Sequence, residues 1–179
     1  MNVQDIYDLA IRLGIQNDFR SKSVIAKRLK KMEERYKALP EKDKKLYDTS
    51  LFEDPYQDTA IHHVKKKAGH VKRVMVGIDI DSAEIIVAHE LSKRDSKRPI
   101  DLVIAHHPVG KALIGLDQVM DLQVDMLAQY GVPVNIAENL LTKRISEVSR
   151  GLSPINHFQA VDTARLLDVN FMNVHTPAD

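Results

Sequence analysis

DLVIAHHPVG, residues 101–110, is the stretch on which the fold turns. Leu102 to Ala105 form an unbroken apolar run, of the length and composition of a buried strand, and Pro108 stops it. His106 and His107 stand where that strand runs out into a loop, a place suited to a metal or catalytic site. FMNVHTPAD (171–179) repeats the arrangement: an apolar strand, then His175, a proline and Asp179. Between and before the two fragments, strand and helix patterns alternate. VKRVMVGIDI (71–80) reads as a β-branched strand, and Ser82 can cap a helix over 83–94. DQVMDLQVDMLAQY (117–130) reads as a helix with Val119, Leu122, Met126 and Tyr130 on its inner stripe and Gly131 as its stop. VPVNIA (132–137) reads as a short strand, 139–149 and 154–167 as helices divided by Gly151 and Pro154, and FMNVH (171–175) as the last strand. Short links between alternating elements predict an α/β fold with a largely parallel sheet flanked by helices on both faces.

Ahead of this pattern the chain is helical. Val3, Ile6, Tyr7, Ala10 and Leu13 share one face of a helix that Gly14 ends. Ser21 or Ser23 can cap a second helix with Val24, Ile25, Leu29, Met32 and Tyr36 at helical spacing, and 41–48 supplies another turn or two. FEDPYQDTAIHH and KKKAGH then bring turn residues, charge and a glycine. The expected organisation is a helical N-terminal extension over 1–52, a connector over 53–70 and an α/β metal-binding domain over 71–179.

Composition narrows the function. With 179 residues and 44% hydrophobic content the chain can bury a core. The absence of cysteine removes disulfides and thiolate metal sites, so any metal must take histidine, carboxylate or water ligands. MNVQDIYDLA has neither the basic nor the apolar region of a signal peptide, and no apolar run has the length of a membrane span. A cytoplasmic protein without membrane contact is the expectation. Net charge is +1. Residues 1–72 hold 16 Lys and Arg against 11 Asp and Glu; that excess suits a solvated helix face better than a polyanion surface. Aromatic content of 5% without tryptophan argues against a nucleic-acid stacking platform. No phosphate-cradling glycine loop, nucleophile elbow or HExxH is present.

Ligands of parallel sheets bind beyond the carboxyl ends of the strands, where His106, His107 and His175 all lie. Neighbouring side chains on a regular strand point to opposite faces, so His106 and His107 converge only if the chain bends, which Pro108 favours. Two adjacent histidines can then serve two neighbouring ions, with carboxylates and waters completing the sites. Two buried, hydrogen-bonded histidines would account for the pair equally well. HTPAD has a competing account too: Thr176 as a helix N-cap, Pro177 at the first helical position and Asp179 as a capping-box acid. Of the remaining histidines, His62 and His63 read as surface residues beside a lysine run, and His89 as an ordinary helix residue. His157 reads as a cap or a cleft residue. Asp79 and Asp81 suit turn and capping duties.

DLVIAHHP followed by VHTPAD resembles the paired signature of the NGG-one-interacting-factor-three (Nif-three-like) family. EDPYQDTAIHH is similar to that family's opening segment NPYxDTRI, VKRVMVGIDID to its first strand, and the helical start to an N-terminal extension of one branch. The resemblance implies a dinuclear-metal fold, assembled as a homo-oligomer, often a toroidal hexamer, with some members labelled GTP cyclohydrolase I type 2. It implies His106, His107 and Asp179 as metal ligands, with Asp179 bridging, and His175 as a catalytic residue that orients water or a phosphate oxygen. The cofactors implied are two divalent ions per subunit, of zinc, manganese or iron. The family's downstream HxxxE segment has no counterpart here, so the chain resembles the first part of a longer member.

The function expected is that of a metal-dependent hydrolase acting on a small phosphorylated or nucleotide-like substrate, since bound cations attract phosphate. The alternative is a non-catalytic oligomeric scaffold or regulatory partner with a structural metal.

Overall fold

The computed structural model describes residues 1–67 and 69–179, apart from the side chains of 117, 118 and 121; Ala68 of the connector lies outside the described residues. Helices α1 (Val3–Asn17), α2 (Lys22–Ala38) and α3 (Glu41–Lys44) lead through a 3-10 turn (Thr49–Phe52) to strand β1 (Ala60–His63). Then come β2 (Val74–Gly77), α4 (Ser82–Arg94) and β3 (Leu102–Ala105). Helices α5 (Gly110–Ile114), α6 (Leu116–Val119), α7 (Asp121–Gln129), α8 (Val134–Leu152) and α9 (Gln159–Leu166) precede β4 (Phe171–Asn173), and a 3-10 turn over Thr176–Ala178 follows it.

The fold is α/β and its sheet is mixed. The strand order is β1-β4-β3-β2. β2 and β3 are parallel, as are β3 and β4, and β1 runs antiparallel to β4. β1 falls within the segment read from sequence as a connector, where no period stood out. Its burial alternates, with Ala60 and His62 buried. His62 is therefore not a surface residue. It lies 9% exposed against the Phe171 ring, with Nε2 2.8 Å from Asn173 Oδ1.

Alternate residues of the strands feed two cores. Val103, Ala105 and Phe171 pack with Ile85 and Ala88 of α4 and Ala160, Val161 and Ala164 of α9. Leu102 and Met172 face the other way, onto Val3, Tyr7 and Ile11 of α1 and onto Tyr56. The spacing of those three α1 residues is one helical face. Asn2 and Asp5 form a reciprocal capping box that starts the helix. Gly14 does not end it. A Cβ there would lie 2.9 Å from Pro177 Cβ and 3.0 Å from Pro177 Cα, so the glycine lets the C-terminal turn press against α1.

Three other expectations differ. VPVNIA is not a strand: Val134 opens α8 directly after Pro133. The alternation of Val132, Val134 and Ile136 imitates a strand, but only Ala137 among α8 residues is buried, and proline suits the position just ahead of a helix. The 117–130 helix breaks at Met120, and Tyr130 is 84% exposed rather than inward. Asp81, not Ser82, caps α4, in a box with Glu84.

Candidate metal centre

The parallel register brings the chemistry together. Gly77 of β2 stands beside Ala105 of β3, which stands beside Asn173 of β4. Two residues past each of these are Asp79, His107 and His175. The ladder carries slightly beyond the strands: His106 N–H donates to Gly77 O at 2.8 Å, His107 N–H to Ile78 O at 2.9 Å and Val174 N–H to Ala105 O at 2.9 Å. The chain then bends ahead of Pro108, and the two adjacent rings turn towards each other, their centroids 5.3 Å apart. His175 joins them, its ring 5.0 Å from that of His106 and 6.0 Å from that of His107. One ring nitrogen of each histidine lies within 4.8 Å of those of the other two, a cluster able to hold a metal ion.

Each imidazole is held from behind by an oxygen. His106 Nδ1 faces Val174 O at 3.2 Å, His107 Nδ1 faces Asp79 Oδ1 at 2.7 Å, and His175 Nδ1 faces Asp58 Oδ2 at 2.8 Å. Carbonyl and carboxylate oxygens accept, so these partners favour the ring proton on Nδ1 and the lone pair on Nε2. Histidines that ligate metals are ordinarily braced in this way. Asp179 Oδ1 lies 3.4 Å from His106 Nε2. His106, His107, His175 and Asp179 are thus neighbours in space.

Asp58 is the residue that sequence reading missed. Its side chain is fully buried, and its Oδ2 also accepts from Thr176 Oγ1 at 2.6 Å and Thr176 N at 3.4 Å. The hydrogen bond to Asp58 raises the proton affinity of His175, and burial opposes the rise. Thr176 is therefore not a helix N-cap: its hydroxyl serves Asp58, and His175 stands at the cap position without a side-chain cap bond. Asp79 likewise braces His107 instead of serving a turn or cap. The signal for Asp58 was its place just ahead of β1, the antiparallel neighbour of β4, and β1 itself was not visible. His157 contributes its carbonyl, which accepts from Gly110 N–H at 2.7 Å.

Beside Asp179 opens a cavity of about 290 Å³, with Phe19, Tyr56, Leu122, Met126 and Pro177 among its walls. No helix among the described residues is long and apolar enough to cross a membrane.

No family model matches the chain, and no curated protein does. Among solved structures it is similar to a NIF3 superfamily protein from Sphaerobacter thermophilus, at 32% sequence identity and a TM-score of 0.61. The likeness covers 69% of this chain and 42% of that one, so the chain spans less than half the length of this relative. Likeness in both sequence and backbone, together with the histidine signature read from sequence, gives the assignment: the chain belongs to the NIF3-like family.

Proposed function

We propose that this chain supplies the metal-binding part of a metal-dependent hydrolase that acts on a small phosphorylated or nucleotide-like molecule. One observation carries the reading: three imidazoles converge, each with Nδ1 facing an oxygen and one ring nitrogen within 4.8 Å of those of the other two. Convergent imidazole nitrogens are a donor set that a divalent cation takes. In this reading His106, His107 and His175 are nitrogen ligands and Asp179 adds a carboxylate. Sequence reading gave His175 the task of orienting water or phosphate; its brace by buried Asp58, equivalent to those of its two neighbours, favours a ligand role.

Nitrogen and oxygen donors without thiolate suit zinc, manganese or iron. The family resemblance implies two such ions in the intact site. When bound, the metal lowers the pKa of a bound water and polarises a substrate oxygen. The remaining work falls to the chain. Asp58, Asp79 and the Val174 carbonyl keep the imidazoles aimed. The apolar walls of the adjoining cavity offer room for the organic part of a substrate whose phosphate is drawn to the cation.

The test is metal content by mass spectrometry together with turnover of phosphomonoesters, phosphodiesters and nucleoside triphosphates. Metal-loaded protein is expected to hydrolyse at least one class, and the H106A/H107A variant to lose both metal and turnover. Turnover that survives in that variant, or an inert metal-loaded wild type across the panel, contradicts the reading.

A further inference from the structure

Among the described residues, two that are not glycine have a positive φ: Asp168 at 50° and Gln57 at 67°. Asp168 is explained by where it stands. It follows the C-cap of α9, its N–H donates back to Arg165 O and that of Val169 to Ala164 O, and helices commonly end on a left-handed residue in this way. Gln57 ends no helix. The 3-10 turn before it stops at Phe52, and β1 starts at Ala60. Glutamine lacks the short polar side chain with which aspartate and asparagine take this conformation. Its side chain also makes no hydrogen bond among the described residues, so the position is not held for the sake of the amide.

The conformation is imposed from both sides. Ahead of Gln57, the buried Asp54 carboxylate accepts from Tyr7 Oη at 3.1 Å, from Tyr56 N–H at 2.8 Å and from Gln57 N–H, and Tyr56 Oη donates to Asp18 Oδ2 at 3.1 Å. After it, Asn173 Nδ2 donates to Asp58 O at 2.6 Å and His175 N–H to Thr59 Oγ1 at 3.1 Å. The buried Asp58 side chain meets His175 Nδ1 and Thr176 Oγ1. Tyr56 is thus fixed beside α1 and Asp58 beside the end of β4, and one residue is left to join them. A costly backbone conformation persists where its surroundings over-determine it. Here they determine where Asp58 stands.

We propose that Gln57 is a positioning residue of the metal centre and acts through its backbone: the left-handed turn at 57 sets Asp58 behind His175 and so fixes the direction of that ring. The effect on metal affinity rests on the reading of His175 as a ligand. The placement of Asp58 and Thr59 against His175 does not, and it can be read without metal.

Amide hydrogen exchange of the metal-free full chain, followed by NMR, tests it together with zinc affinity from chelator competition. Glycine and asparagine take the left-handed region, and β-branched side chains do not. Q57G and Q57N are expected to keep the His175 amide as protected as in the wild type and to bind zinc as the wild type does. Q57V is expected to expose that amide and to bind zinc about tenfold more weakly or worse, while the Val103 amide, bonded to Asn170 O within the sheet, keeps its protection. Q57T is branched in the same way and takes the place of Q57V if that variant does not fold. A His175 amide still protected in the branched variant, or one exposed in Q57G and Q57N, overturns the proposal. So does undiminished zinc affinity in a branched variant that has lost the protection. A wild type that binds no zinc counts against the hydrolase reading alone, and the exchange pattern still decides the role of Gln57.

Discussion

Three imidazoles can offer lone pairs to one cation only if each keeps its proton on the far nitrogen, and Asp58 performs that service for His175. D58N keeps the volume of the side chain and removes the charge. It is expected to weaken metal binding by about 10- to 100-fold with the fold intact, as read by competition with a chelator. Unchanged affinity would remove Asp58 from the centre. Two other buried residues set the acid response. Burial pushes His62 down to about 4 from 6.5, so the unfolded chain alone takes up its proton between those values. Its contribution is present above pH 6.5 and lost as pH falls to 4, a change of about 3 kcal/mol. Burial pushes Asp54 up to about 6 from 3.8, so here the folded chain holds the proton. Its contribution is present below pH 4 and lost as pH rises to 6, again by about 3 kcal/mol. The two slopes oppose each other in the wild type. Relative to wild type, H62Q should gain stability on acidification from pH 6.5 to 4, and D54N should lose it from pH 6 to 4. Urea denaturation at a series of pH values reads both; parallel profiles would contradict the assignment. Neither residue announces this role in the sequence. His62 stands in a pair beside lysines, and only the neighbouring strand shows that it faces inward.

Elements differ in how plainly the sequence shows them. β2, β3 and β4 lie within the stretches read as strands, 71–80, 101–107 and 171–175, with β2 ending at Gly77, ahead of the expected bound. Helices α1, α2 and α4 are legible from periodicity and capping residues. β1 is not, because Ala-Ile-His-His offers a strand pattern only to a reader who already knows that His62 is buried. The start of α8 misleads in the opposite sense, since its β-branched residues alternate on a surface they do not bury. Gly14 shows how an element's position depends on a distant one. Read as a helix stop, it is the contact point between α1 and the turn that precedes Asp179. G14A forces its Cβ against Pro177 and Tyr56 and should cost about 1–3 kcal/mol in urea denaturation. Because the turn must shift, metal affinity should fall in the same variant. Loss of stability with affinity unchanged would separate α1 from the site.

At the scale of the whole molecule, parallel strand ends gather residues that are far apart in sequence. Asp79, His107 and His175 meet because each lies two residues beyond one row of the sheet. The two histidine fragments were legible as strand ends, and a parallel sheet was enough to predict their convergence. The braces behind them were not, since Asp58 reaches the site only through the antiparallel pairing of β1 with β4. The central claim is that this row of strand ends grips a cation. An anomalous-difference map, collected across the zinc, manganese and iron edges from crystals of the metal-loaded chain, tests it most directly. The account predicts a peak about 2.1 Å from ring nitrogens of His106, His107 and His175. A map without a peak there, from protein shown to contain metal, would contradict it.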